Sequence, residues 1–522
     1  MNFKRKLWWA QHKNDVYKYS TFILLFLIVT ISIIYFTYSK FTSKNEMTMY
    51  ETTVEPFIKN DYFIASYIDG EWSNEIPGKN DGYVVDKIVC DNGAVGTWDN
   101  DKWAITIENA TKKIKCGVYF KQIYKDNVIA EAPELAQGMI PVKFDSSGNV
   151  VVADTATKWY DYSNHEWANA VLVNCADSAI KSKYFDNDNK VLASAVGKTI
   201  SMDEIMQMYV YIPRYKYQLF NAEDGTSVEQ AINITFESKT TAKSTGAKNG
   251  EWLTHPAFTF GDKELAGIWV GKFETSNTKE LPKIVPNVNS LRNLTVSEGF
   301  NTSRLMTTTL ASTYGTSTND DSHMMKSIEW GAIAYLTNSI YGRYTNTSIC
   351  IDSGCEIWIN NNSSYTTGCA GSSVSASGAS TCNAWNTATG VNASTTGNIY
   401  GIYDMSGGSS EYVMGNYDDT RKNSGFSSMP EAKYYDKYVG TSSNNDFTKY
   451  HLGDATKEIL KSRSRGANAW YGDYNVSINS DYPWMVRGSY YNDGDGSGLF
   501  AFDVTYGESY NRRSFRVVLS VL

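Results

Sequence analysis

The residues of this 522-residue chain that could do chemistry are its seven cysteines, its five histidines and a tyrosine- and aspartate-rich stretch near the C-terminus. Cys90 and Cys116 flank Trp103 in strand-like text, which suits a disulfide. Cys350, Cys355, Cys369 and Cys382 fall within 33 residues. Disulfides are expected among them, and the three pairings that four cysteines allow stay open. Zinc is the sharper alternative, but the window holds no Cys-x-x-Cys and no histidine. Cys175 is left over and is expected as a buried free thiol. His12, His165, His255, His323 and His451 form no His-x-x-x-His pair and read as structural or surface residues.

Common catalytic signatures are missing: there is no Gly-x-Ser-x-Gly elbow, phosphate loop or His-Glu-x-x-His. Asp493-Gly-Asp-Gly-Ser-Gly498 matches the first half of a calcium loop. The twelfth position, where a bidentate Glu is needed, is Val504. No cofactor is expected, and calcium has only this incomplete ligand set. The stretch between the strand-like runs Val486–Tyr490 and Phe515–Leu519 has the composition of an antibody paratope, with amphipathic aromatics among small polar residues. The candidate ligand-binding residues are Tyr490, Tyr491, Asn492, Asp493, Asp495, Phe500, Asp503, Tyr506, Glu508, Tyr510 and Asn511.

These residues must be held by a chain whose polar bulk comes from Asn, Ser, Thr, Gly and Tyr rather than charge: 42% is hydrophobic, 14% aromatic and only 20% charged. That palette suits a β- and loop-rich extracytoplasmic protein. The net charge is -8, although Lys4, Arg5, Lys6, Lys13 and Lys18 oppose only Asp15 in residues 1–20. The remainder is strongly acidic and shows no basic stripe, which excludes nucleic acid as a partner. Thr21–Tyr38 is an uncharged run of 18 residues, about 27 Å as a helix. With the basic cluster before it, the segment predicts a single-pass transmembrane signal anchor, a cytoplasmic N-terminus and an extracytoplasmic remainder.

Residues 39–60 read as a stalk and 61–125 as a small β-sandwich module, with strands at Tyr62–Ile68, Gly82–Cys90, Trp103–Glu108 and Ile114–Phe120. Residues 126–200 read as a β-rich connecting region with a hairpin about Ser147-Gly148-Asn149. There Trp159, Tyr160, Tyr162 and Trp167 suit core packing better than a sugar platform. Met202–Met208 reads as a short helix before the strand Tyr209–Pro213. Met324, Met325, Ile328, Ala332 and Leu336 recur at helical spacing.

Several stretches in residues 201–522 resemble, in order, the formylglycine-generating-enzyme family, whose fold is related to C-type lectins. They are Met208–Pro213, Ile268–Glu274, Ser327–Tyr335, Asn398–Gly407, Val486–Tyr490 and Ser514–Val518. The resemblance implies an α+β C-type-lectin-like domain with many loops. It also implies a metal-binding cysteine pair after Gly488-Ser489-Tyr490, but Asn492 and Ser497 stand there. Oxygen and amide groups cannot serve as the soft ligands copper(I) needs. The histidine cluster of iron-dependent relatives is likewise missing. The family's calcium site implies an Asn and a Glu; here they are Gly408 and Glu411. In relatives diversified by retroelements the terminal segment is the variable ligand-binding face, and Arg487 and Arg516 would be structural. The expected protein is a membrane-anchored bacterial surface protein that binds an external protein or glycan through this face. The alternatives are a structural envelope protein and an enzyme of the same fold with unrecognised chemistry.

Overall fold

The computed structural model describes residues 62–68, 71–73, 76, 83–99, 102–108, 114–122, 130–223, 225–352 and 354–522. They fall in two compact units, Met1–Ile123 and Tyr124–Leu522. The expected α+β class is corrected. The described residues are built mainly of β-strands, and their α-helices are short: Ser178–Tyr184, Val296–Arg304, Ala311–Tyr314 and Ser327–Thr337. Among the described residues no helix is long and apolar enough to cross a membrane, so neither the transmembrane helix nor the signal anchor is supported. Thr21–Tyr38 lies outside the described residues, as do 1–20 and 39–60.

The first unit holds a four-stranded sheet in the order Glu71–Ser73, Tyr62–Ile68, Ile114–Gln122, Tyr83–Cys90, and a hairpin of Val95–Asp99 with Ala104–Glu108. Ile105, Val118 and Phe120 are buried between them, and Trp98 meets Trp103 and Phe120 edge-on. Cys90 stands opposite Cys116 across two antiparallel strands and is bonded to it. A core of so few side chains is small for a free-standing module, and the cross-link restricts its unfolded chain.

The second unit is organised by a seven-stranded sheet. Its order is Asp321–Met324, Val517–Ser520, Gly267–Gly271, Ile205–Pro213, Asn169–Val173, Ile140–Phe144, Val150–Val152. The expected hairpin about residues 147–149 closes the last two strands, with the Asp145 carboxylate accepting from Ser147 N and Asn149 N at 2.9 Å each. Strands from the stretch 126–200 thus share one sheet with those from 201–522. The short helix expected at Met202–Met208 does not form. Ile205–Pro213 is a single strand, buried at every position between two neighbours. Sheet pairing on both sides overrides a local helical preference. Trp159, Tyr160, Tyr162 and Trp167 are all core residues.

The methionine-containing helix begins later than its spacing suggests. Met324 ends a strand, and the helix Ser327–Thr337 is buried on every face rather than one. Gly331 permits this, because a Cβ there would lie 1.9 Å from Gly453 O. Disulfides join Cys350 to Cys355 and Cys369 to Cys382, so the pairing left open by sequence is the local one. Cys175 is free and buried.

His323 is fully buried, with Nδ1 2.9 Å from Asp321 Oδ1 and Nε2 2.9 Å from Glu329 Oε1. Burial alone would lower its pKa, but carboxylates on both ring nitrogens raise it above the ordinary histidine value. Desolvation pulls both carboxyls up, but the histidine together with Arg304 holds Asp321 at about 2, and the histidine together with Lys326 holds Glu329 below its usual range. The imidazolium's stabilisation is complete below the unfolded pKa of about 6.5. It is lost as pH rises through the raised folded value. The carboxylate contributions are present above about pH 4 and lost as pH falls. The triad therefore stabilises most between about pH 4.5 and 6.5. Against His323→Gln, the native chain should hold its largest advantage near pH 5.5. By pH 9 it should lose roughly 1.4 kcal/mol of that advantage for each unit by which the pKa is raised. Urea unfolding of both proteins across this range measures it, and a pH-independent difference would contradict the charged assignment.

Candidate functional site

The terminal candidate residues are positioned by a second sheet, in the order Asp436–Tyr438, Ser410–Tyr417, Trp484–Arg487, Phe502–Thr505. Arg513–Phe515 also pairs with Ser410–Tyr417, in parallel. Trp484–Arg487 and Phe502–Thr505 are antiparallel, so residues 488–501 leave the sheet at one end and return to it. The exit is made by two left-handed residues, Gly488 (φ 77°) and Ser489 (φ 57°). Glycine suits the first because an added Cβ would meet Met405 O at 3.1 Å.

The inner part of this connection is anchored and the outer part faces solvent. Trp330 Nε1 donates to Leu499 O at 2.8 Å, and Phe500 N donates to Asp473 at 2.8 Å. Phe500 is fully buried against Trp470 and Tyr471, so this candidate is a core residue that presents no surface. Asn492, Asp493 and Asp495 are exposed at the outer turn. Tyr491 N donates to Gly408 O at 3.0 Å, Gly378 N donates to Tyr491 O at 3.3 Å, and Ser377 Oγ meets Asn492 O at 3.1 Å. Asp503 lies in the strand opposite Val486, and burial raises its pKa.

The second loop, 506–512, is pinned at its base by Arg513, whose Nη1 donates to Glu508 Oε1 at 2.8 Å and to Thr505 Oγ1 at 2.5 Å. Glu508 is thus committed to an internal ion pair. Asn293 N donates to Tyr510 O at 3.2 Å, and Arg292 Nη1 donates to Asn511 O at 2.6 Å. Tyr506 is exposed and lies against Tyr482, ring centres 4.5 Å apart.

What the structure assembles is a row of tyrosines flanked and interrupted by arginines. The Arg292 guanidinium lies 3.8 Å from the Tyr365 ring centre, and Tyr365 meets Tyr491 at 4.8 Å. Tyr491 meets Tyr490 at 5.4 Å, and Arg512 lies 4.5 Å from Tyr490. Arg512 also sits 5.9 Å from Tyr510, over which Arg513 lies at 4.8 Å. Of the sequence candidates, Tyr490, Tyr491 and Tyr510 belong to this row and Tyr506 to the separate pair with Tyr482. Arg292, Tyr365, Arg512 and Arg513 were not among the candidates. The two terminal arginines stood inside the segment, and weighing cation–π pairing with its tyrosines would have found them.

Glu411, the calcium ligand that the family resemblance implies, is fully buried and engaged by Arg516. The guanidinium Nε donates to Glu411 Oε2 at 3.0 Å and Nη2 to Oε1. Arg516 also donates to Gly271 O at 2.8 Å and Tyr403 O at 2.9 Å. Desolvation raises the pKa of Glu411, Asp404 and Glu274 alike. For Glu274, burial and the neighbouring Asp404 and Glu411 push the carboxyl well above its ordinary value, and no guanidinium is bonded to it. Among the described residues no group of three or more His, Cys, Asp or Glu side chains is arranged to hold a metal ion.

No family model matches the chain, and no curated protein matches it. Among solved structures it is similar to the Major Tropism Determinant U1 variant, at 12% identity over 82% of this chain and 95% of that one. The TM-score is 0.23, too low to bear on fold or function.

Proposed function

We propose that this chain is an extracytoplasmic recognition protein that binds an external protein or glycan through the face built by residues 489–512 with Arg292 and Tyr365. The carrying observation is the row of tyrosines flanked by arginines on loops anchored by hydrogen bonds. Tyrosine supplies broad contact area at low entropic cost, and a stacked guanidinium keeps its hydrogen-bonding edge free. Three disulfides support an oxidising compartment outside the cytoplasm. The likeness of the sequence motifs to the formylglycine-generating-enzyme family belongs to this same reading, as a scaffold whose cysteine positions carry Asn492 and Ser497.

Tyr491 and Tyr506 stand at two different points of this face, and both reach solvent. Replacing both by Ala should abolish capture across an array of glycans and purified surface proteins. The melting temperature should stay within a few degrees, because neither ring fills the core. An array profile unchanged by the double substitution would remove the face from consideration.

A further inference from the structure

We infer that the ligand of this face is an acidic polysaccharide, a chain of sugar rings bearing carboxylate or sulfate groups. The inference rests on the binding reading above and specifies its chemistry.

The argument starts from charge. The chain carries an excess of eight acidic groups, yet the row gathers Arg292, Arg512 and Arg513 around four tyrosines. Arg513 is neutralised by Glu508. Among the described residues, neither Arg292 nor Arg512 has a carboxylate within ion-pair distance. Arg292 gives one hydrogen bond to the carbonyl of Asn511, and its Nε is shielded from solvent with no hydrogen-bond partner among the described residues. Asp493 is close enough to be influenced by Arg512, and its carboxylate accepts a hydrogen bond within its own loop, from Tyr490 N at 3.3 Å.

Geometry then selects the anion. A guanidinium held over a ring still has planar N–H groups, whose fork matches the two oxygens of a carboxylate or sulfate. Between Arg292 and Arg512 lie the rings of Tyr365, Tyr491 and Tyr490, each turned about 86° to the next. They present a sequence of faces and edges rather than one slot. A polymer whose every unit has an apolar ring face and an anionic group satisfies both halves of this pattern. An acidic peptide supplies the charge without the ring face, and a neutral glycan supplies the ring face without the charge.

The test uses the full chain and four probes: polygalacturonate, dextran sulfate, dextran and poly-glutamate, with binding measured by calorimetry at two salt concentrations. Polygalacturonate or dextran sulfate should bind, more weakly at higher salt, and whichever binds tighter names the anion. Arg292→Gln with Arg512→Gln should weaken that binding at least tenfold, and Arg512→Lys should restore little, because it returns charge without the planar fork. Thermal melting of each variant checks that it folds. Dextran binding as tightly as the anionic polymers, poly-glutamate binding as tightly, or no loss in the double arginine variant would each overturn the inference. So would failure of both anionic polysaccharides to bind. If that failure accompanies array capture that still depends on Tyr491 and Tyr506, the ligand class falls and the face stands. If capture is also indifferent to those tyrosines, the face falls with it.

Discussion

Substituting Met for Arg516 should destabilise the second unit by about 3–5 kcal/mol, the cost of stripping one partner from a buried ion pair. Four donor–acceptor contacts radiate from this fully buried guanidinium: two to Glu411, one to Gly271 O and one to Tyr403 O. The pair joins two sheets, since Arg516 lies between the strands Arg513–Phe515 and Val517–Ser520 while Glu411 lies in Ser410–Tyr417. Methionine fills similar volume, so the loss isolates charge and hydrogen bonding from cavity formation. Glu411 would be left beside Asp404 and Glu274 with no cation bonded to it and would have to take up a proton. The loss should therefore be larger at pH 8 than at pH 5. Glu411→Gln in the same chain should recover part of it, giving a favourable coupling in a double-mutant cycle. Denaturant unfolding of the four proteins measures this. An R516M chain within 1 kcal/mol of the native one would show that the pair contributes little beyond its volume.

Sequence reading reached the strands better than the faces. Tyr62–Ile68, Ile114–Phe120 and Tyr209–Pro213 are β-branched or aromatic runs bounded by polar turns, and each lies within a strand. The helix expected at Met202–Met208 failed because its residues complete a central strand, a tertiary effect that local spacing does not encode. Phe500 was read as a surface aromatic because the terminal segment as a whole is rich in Tyr, Asn, Asp, Ser and Gly, although Leu499 and Ala501 flank it. The chain folds back at that point, and the ring enters the core beside Trp470. The row of tyrosines and arginines was half legible. Tyr490, Tyr491 and Tyr510 stand in one segment, but Arg292 comes to Asn511 across 219 residues of chain. Tyr365 reaches Tyr491 from a left-handed backbone (φ 58°) inside a polar loop. Neither placement leaves a periodic or compositional trace. The histidines read as isolated because their partners are distant or of another type: His255 hydrogen-bonds Gly453 O, and His323 is bracketed by carboxylates.

A second large loss is expected for Lys272→Met, about 2–4 kcal/mol. Lys272 is fully buried, and its Nζ donates to Asn169 Oδ1 at 2.9 Å, Ile399 O at 2.7 Å and Gly401 O at 2.8 Å. The rings of Phe144, Trp385 and Tyr403 lie 5.1, 5.6 and 5.5 Å from the nitrogen. Burial pushes the lysine pKa well below its ordinary value. Three acceptors match the three protons of an ammonium, and the ring faces favour a cation, so the site opposes that pull. Methionine would strip a donor from three polar oxygens at once, each worth about 1–3 kcal/mol when left unmet. Its apolar stem and the relief from burying a charge offset part of the sum. The loss should also have a location. Asn169 Nδ2 donates to Tyr400 O at 2.8 Å, so Lys272 and Asn169 together staple residues 399–401 to the large sheet. Amide exchange at residues 399–403 should accelerate in the Met variant ahead of the global unfolding rate, while exchange in the 502–505 strand should follow global stability. Asn169→Ala, which leaves the amine two of its acceptors, should cost less than Lys272→Met and loosen the same segment. Uniform acceleration across the unit, or a K272M chain as stable as the native protein, would mean that the ammonium is not what holds this loop.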